Sequence, residues 1–148
     1  MKLSLSFPAA SLHGATVGGS VAVNGVCLTI TQLDEREARA SFDVIDETLA
    51  RSTLGGIAEG HSVNFERAAC FGAEIGGHVS SGHVHCTARV EEVEREGDNV
   101  RMCLRLGDEA WAKYVLPKGF ISVDGCSLTV GLVKGSAFDI HLIPETLR

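Results

Sequence analysis

The chain says the same thing twice. Residues 20–30 read S-V-A-V-N-G-V-C-L-T-I and residues 120–130 read F-I-S-V-D-G-C-S-L-T-V. Asn24-Gly25-Val26-Cys27-Leu28-Thr29-Ile30 aligns without a gap on Asp124-Gly125-Cys126-Ser127-Leu128-Thr129-Val130. A second match follows each copy in the same order, Asp46-Glu47-Thr48-Leu49 against Pro144-Glu145-Thr146-Leu147. A period of about a hundred residues is too long for a solenoid and fits a duplicated domain. The 148 residues leave room for two small domains, which the length prior permits. Two related domains supply two related sites, and such a pair suits two copies of one ligand.

The local patterns are those of strands. Alternating or β-branched segments predict strands at residues 3–7, 21–30, 38–45, 62–67, 84–93, 100–106, 119–123, 127–133 and 137–143. Asn24-Gly25 is a tight-turn signal inside the second of these, and residues 95–99 read as another hairpin turn. Helix is expected only in short pieces, at residues 46–49, 108–115 and 9–12. With seventeen glycines and turn signals throughout, the favoured class is all-β: two tandem, small antiparallel barrels. The small-residue stretch 76–82 is the expected boundary, giving domains 1–78 and 79–148.

Composition narrows the function classes. A net charge of −6 with scattered Lys and Arg speaks against a nucleic-acid partner. Apolar residues make up 45% of the chain, and the mean hydropathy of +0.16 suits a buried core. No apolar run reaches membrane-spanning length, no signal peptide is recognisable, and the five cysteines form no C-x-x-C pair. Reduced thiols in the cytoplasm are the expectation. His78, His83, His85 and Cys86 lie close enough in sequence to raise zinc. On a strand, however, His83 and His85 would share one face and Cys86 the other, and the familiar ligand spacings are missing. No metal site is expected.

The runs N-G-V-C-L-T-I, E-R-A-A-C-F-G-A-E-I-G-G-H-V-S-S-G-H-V, K-G-F-I-S-V-D-G-C-S-L-T-V and H-L-I-P-E-T-L together resemble riboflavin synthase, a family of two lumazine-binding repeats. The resemblance covers nearly the whole chain in order. It implies a reaction without cofactor or metal: two molecules of 6,7-dimethyl-8-ribityllumazine exchange a four-carbon unit, giving riboflavin and 5-amino-6-ribitylamino-pyrimidinedione. Holding two identical rings face to face turns a bimolecular encounter into a local one, worth about 7–11 kcal/mol. In the family the first barrel of one subunit faces the second barrel of a neighbour, so a homo-oligomer, a trimer, is expected.

By the same resemblance, Ser127 activates the second lumazine with Thr129 beside it, and Cys27 and Thr29 hold the same place in the first repeat. His83 is the expected proton handler. Ring contacts come from the main chain at Gly82, Val84, Leu28 and Leu128, with Cys126 beside Ser127 also at the ring. Asp43, Val44, Ile45, Asp46, Glu47 and Thr48 should hold one ribityl chain, and His141, Leu142, Ile143, Pro144, Glu145 and Thr146 the other, with Lys118 as an added donor. The family's usual opening, close to M-F-T-G-I-V, has no counterpart here, nor do its closing strand, its carboxy-terminal helix and an acidic residue that would follow Arg148. Each barrel is therefore expected to lack a strand and leave an exposed edge, and residues 1–148 alone to turn over slowly or not at all.

Plainer readings compete. A Ser or Thr after an Asp-Gly turn is usually turn chemistry, Cys27 and Cys126 could be small buried apolar residues, and Glu47 and Glu145 could cap short helices. The repetition favours function, because independent turn chemistry would not reproduce the same residues twice. The alternative to an enzyme is a non-catalytic lumazine- or flavin-binding protein of the same fold.

Overall fold

A computed structural model describes residues 1–147. The chain divides into two units, Met1–Ala73 with Ser81–His83, and Glu74–Ser80 with the residues from Val84 on. The expected cut between 78 and 79 falls inside this crossover: the chain enters the second unit, returns to the first for three residues, and leaves it again.

Each unit is a five-stranded antiparallel sheet. The first contains β1 (Lys2–Ser6), β2 (Ser20–Val23), β3 (Val26–Asp34), β4 (Arg39–Asp43) and β5 (Phe65–Arg67), in the order β1-β4-β3-β2-β5. The second contains β6 (Ala88–Glu96), β7 (Asn99–Leu106), β8 (Phe120–Val123), β9 (Cys126–Lys134) and β10 (Ala137–Leu142), in the order β6-β7-β10-β9-β8. In both, three hairpin-linked strands are flanked by an earlier strand that lies beside the last of them, which is Greek-key topology. Strands β1 to β4 thus correspond to β7 to β10. Among the described residues, β5 has no partner in the second sheet and β6 none in the first.

The duplication extends to backbone detail. Val23 pairs with Val26, and Val123 with Cys126, across two-residue turns. Asn24 (φ 46°), Gly25 (φ 77°), Asp124 (φ 48°) and Gly125 (φ 89°) are all left-handed, as the type I′ hairpin turn requires. A register shift lies between Ile30 and Gln32 in the first unit and between Phe138 and Ile140 in the second, at matching places in the two sheets.

Period-two alternation builds the first core. Val21, Val23, Val26, Leu28, Ile30 and Phe42 are buried, and Leu12 and Leu54 close over them from the loops. Phe65 of β5 meets Phe7 edge-on at 5.0 Å. The second core is less closed. Leu104, Val130, Phe138 and Ile140 are buried, but Ile121, Val123 and Leu128 only partly so, because among the described residues β8 has β9 as its sole neighbour in the sheet. Strand β6 is exposed along its length and is held by its ladder with β7, with ion pairs added on its surface. Arg101 reaches Glu92 at 2.6 Å, Glu94 at 2.8 Å and Asp139 at 3.0 Å, and Arg105 pairs with Glu91.

Several expected elements come out differently. The strand expected at 84–93 begins only at Ala88, and residues 81–87 carry no strand pairing. The alternation assumed for His83, His85 and Cys86 therefore does not apply. The left-handed Gly82 (φ 71°) turns the chain there. The strand at 62–67 contracts to Phe65–Arg67. Residues 9–12 form turns, with Ala10 at φ 65°. Helix α1 (Asp46–Arg51) is longer than expected, while 108–115 forms a 3₁₀ segment, Glu109–Tyr114, whose first turn is capped by the Asp108 carboxylate accepting from Ala110 N–H at 3.0 Å.

Candidate functional site

In β3 the alternation sends Val26, Leu28 and Ile30 into the core and leaves Cys27 half-buried and Thr29 exposed on the other face. Leu28 is 5% exposed, so only its main chain is available to a ligand. Cys27 pairs with Ala22 one step beyond the hairpin's closing pair, a position whose N–H points away from β2. That N–H donates to the Gly82 carbonyl at 2.9 Å. Gly82 is left-handed, and a Cβ there would stand 2.8 Å from both the Cβ and the N of Cys27. The close approach requires glycine.

The second repeat has the same arrangement five residues earlier in the connecting segment. Gly77 (φ 78°) lies on Ser127, where a Cβ would come within 2.5 Å of the serine Cβ. The next residue, His78, donates its backbone N–H to Ser127 Oγ at 3.2 Å, and its ring Nδ1 lies 2.6 Å from the same oxygen. The imidazole stacks on Phe120 with centroids 4.6 Å apart and planes 27° from parallel. Ser80 Oγ donates to Ser122 Oγ, the ladder partner of Ser127, at 3.3 Å. The triplets Gly77-His78-Val79 and Gly82-His83-Val84 thus each lay a glycine over the equivalent residue of one repeat.

An open cleft of about 340 Å³ surrounds Ser127. Its lining includes Cys126, Leu128, Ile143, Glu145 and Thr146, all expected, together with Gly76 and Gly77, which were not. Thr129 is exposed on the face of Ser127 and pairs with Phe120 across the ladder. His141 is exposed, Leu142 packs against the core, and Pro144 opens a 3₁₀ turn that runs to Leu147.

Other expected residues lie elsewhere. His83 belongs to the first unit, is exposed, and donates its backbone N–H to Ser81 Oγ at 3.2 Å; the imidazole on Ser127 is that of His78. Val84 is exposed and outside any strand. In the first repeat, Asp43 and Ile45 are exposed at the end of β4, with Asp46 opening α1. Val44 is 3% exposed, and its N–H and C=O are both bonded to Met1. Glu47 does not cap α1 but pairs with Arg51 at 2.9 Å, and the Thr48 carbonyl accepts from Ser52 Oγ at 2.6 Å.

Lys118 stands at φ 63°. Its counterpart is Gly18, since Gly18 N–H bonds Ile30 O and Lys118 N–H bonds the equivalent Val130 O, each at 2.9 Å. A lysine there costs about 1–2 kcal/mol of left-handed strain that glycine avoids. Of the zinc-like set, His85 packs on Trp111 at 4.5 Å and Cys86 lies against the second core. Among the described residues no three His, Cys, Asp or Glu side chains are grouped to hold a metal.

Sequence reading missed Gly77, His78 and Phe120. The signal was present as a G-H-V triplet occurring twice, five residues apart, within what read as a flexible boundary.

Two Greek-key units, each with a glycine arm over the outward face of its Asn/Asp-Gly hairpin, define a protein built on a tandem duplicated β-fold. The model of the lumazine binding domain matches residues 1–68 and again 81–148. The chain is 46% identical to riboflavin synthase of Escherichia coli over 144 residues, covering 97% of this chain and 67% of that protein. It is 44% identical to riboflavin synthase of Chlamydia pneumoniae over 131 residues, 88% of this chain and 62% of that one. This chain belongs to the riboflavin synthase family, and it spans roughly two thirds of the length of these relatives. Among solved structures, LumP complexed with riboflavin shares its fold at a TM-score of 0.83 and 21% identity, covering 99% of this chain and 77% of that chain. LumP complexed with 6,7-dimethyl-8-(1'-D-ribityl) lumazine does so at 0.78 and 22%, covering 96% and 74%. No helix among the described residues is long and apolar enough to cross a membrane.

Proposed function

We propose that the chain performs the riboflavin synthase reaction, a transferase step in which two 6,7-dimethyl-8-ribityllumazine molecules exchange a four-carbon unit to give riboflavin and 5-amino-6-ribitylamino-pyrimidinedione. The observation that carries this reading is Ser127, a serine hydroxyl with an imidazole at 2.6 Å, exposed beside a cleft. A protein that only binds a fluorophore needs no such pair. The close relation to riboflavin synthases over 97% of the chain supports the same choice.

In this reading each repeat holds one lumazine. The ring lies along Cys27–Thr29 in the first repeat and Cys126–Thr129 in the second, with Gly82 or Gly77 at its edge. Glu47 and Thr48, or Glu145 and Thr146, take the ribityl hydroxyls, which need paired donors and acceptors. His83 and Lys118 add donors, and the ring carbons supply the electrophilicity, so no cofactor is called for. The working form is a homotrimer in the cytoplasm; the free cysteines among the described residues suit a reducing compartment.

The test is incubation of the protein with 6,7-dimethyl-8-ribityllumazine while following the riboflavin absorption band. Appearance of riboflavin, even at a slow rate, supports the enzyme. Saturable binding without riboflavin would make the chain a lumazine-binding protein instead. Thr48→Ala and Thr146→Ala should each weaken binding in fluorescence titrations, and no effect from either would reject the ribityl assignment.

A further inference from the structure

We propose that His78 is a positioning residue for Ser127, fixing the hydroxyl between its own ring and its own backbone N–H and receiving the hydroxyl proton at Nδ1. Two groups of one residue converge on a single oxygen. The His78 backbone N–H donates to Oγ at 3.2 Å, which occupies a lone pair and leaves the serine proton free to point elsewhere. Nδ1, at 2.6 Å, is the acceptor in its path. This assigns the imidazole its proton on Nε2 and its lone pair to Ser127.

The surroundings hold the pair in register. Gly77 permits the connecting segment to come onto Ser127, because any side chain there would overlap the serine Cβ and Oγ and would oppose the positive φ. Phe120 covers the imidazole face and restricts its rotation. The base and the nucleophile are thus assembled before a ligand arrives, the arrangement that activates a weak alcohol nucleophile. The first repeat places a thiol, Cys27, at the equivalent position, and a thiol ionises far more readily than an alcohol. The serine copy is the one that needs an imidazole.

The inference rests on the proposed function only for what Oγ meets. With a lumazine in the cleft, the Oγ–C bond forms at the electron-poor ring carbon as the O–H bond breaks. The proton goes to Nδ1, and the ring C=N electron pair moves onto the ring nitrogen. The proton returns when the Oγ–C bond breaks.

Two measurements test it. The first is independent of turnover: long-range proton–nitrogen NMR of His78 in the unaltered chain and in Ser127→Ala. Nδ1 should resonate as an unprotonated, hydrogen-bonded nitrogen and move when the hydroxyl is removed; a signal that does not move overturns the proposal. The second is single-turnover riboflavin formation. His78→Phe should lower the maximal rate about 100-fold, the scale of a lost general base, with the lumazine concentration for half-maximal rate little changed. His78→Asn, whose Oδ1 can accept the serine proton, should retain more activity. In a Ser127→Ala background, His78→Phe should have no further effect. Weakened binding at unchanged maximal rate, or an equal loss with and without Ser127, would show a structural role and overturn the proposal. If the unaltered chain forms no riboflavin, the functional reading fails, and the NMR result alone decides the pair.

Discussion

Replacing Gly82 by alanine should open the arm that crosses Cys27 while leaving the first sheet folded. The perturbation has two parts. At φ 71° a Cβ brings left-handed strain of about 1–2 kcal/mol. That Cβ also stands 2.8 Å from the Cys27 N and Cβ, and because one of these atoms is backbone in the middle of a ladder, the arm must give way. Displacing it breaks the Cys27 N–H to Gly82 carbonyl bond of 2.9 Å, worth about 1 kcal/mol net. The combined local cost of about 2–3 kcal/mol corresponds to a roughly 30- to 150-fold rise in arm opening.

Native-state hydrogen exchange at the Cys27 amide reads this directly, since that amide's partner lies in the arm and not in the sheet. It should exchange faster by that factor, while the amides of Ile30 and Phe42 keep their protection. Gly60→Ala is the control. It has the same kind of backbone strain (φ 87°) with open space around the added carbon, so it should lower overall stability by about 1 kcal/mol and leave Cys27 alone. Unchanged exchange at Cys27 in Gly82→Ala would refute the claim that close approach demands glycine there.

Other outcomes follow from the same contacts. Asn24→Ala removes the acceptor of the Asn64 N–H (2.8 Å) and puts alanine at φ 46°, so urea denaturation should show a loss of about 2 kcal/mol. Glu47→Gln should change stability by less than about 0.5 kcal/mol, because its pair with Arg51 is exposed, yet weaken lumazine binding in a fluorescence titration. Hydrogen bonds from Arg105 and Arg101 hold the Glu91 and Glu94 carboxyls below their ordinary value of 4.5. Their contribution is complete above that pH and is lost as pH falls through the lowered values. Replacing both arginines by glutamine should reduce stability at neutral pH and flatten its fall in acid, as followed by circular dichroism.

The duplicated fold was legible because hairpin chemistry is local. Asn24-Gly25 and Asp124-Gly125 specify their turns through two consecutive left-handed residues, and the apolar alternation of β3 fixes which side chains meet the core. The connecting segment was not legible. Its conformation is set by docking onto β3 and β9, and neither Gly77 nor Gly82 shows in sequence which surface it will lie on. Reading residues 84–93 as one strand followed from β-branched composition, and this failed where the arm's contacts replaced a ladder. His78 was weighed only as a metal donor because its partner lies 49 residues away, and no periodicity links an imidazole to a serine at that distance.

Where the two repeats share a backbone but differ in a residue, the difference separates stability from function, and Lys118 offers the clearest test. Its backbone repeats that of Gly18 bond for bond, so a glycine there would relieve about 1–2 kcal/mol of left-handed strain and return part of it as added freedom in the unfolded chain. Lys118→Gly should therefore raise the denaturation midpoint slightly. Strain retained at a position of known easy relief is a mark of a side chain kept for use. If the ammonium serves the ligand, Lys118→Gly should bind lumazine more weakly despite being more stable. Lys118→Ala keeps the strain and removes only the charge, so it should share the binding loss without the gain in stability. The two variants together separate backbone from side chain: equal binding in both and in the unaltered chain would mean that Lys118 has no part in the site, and a glycine variant less stable than the parent would mean that the strain is not there to relieve.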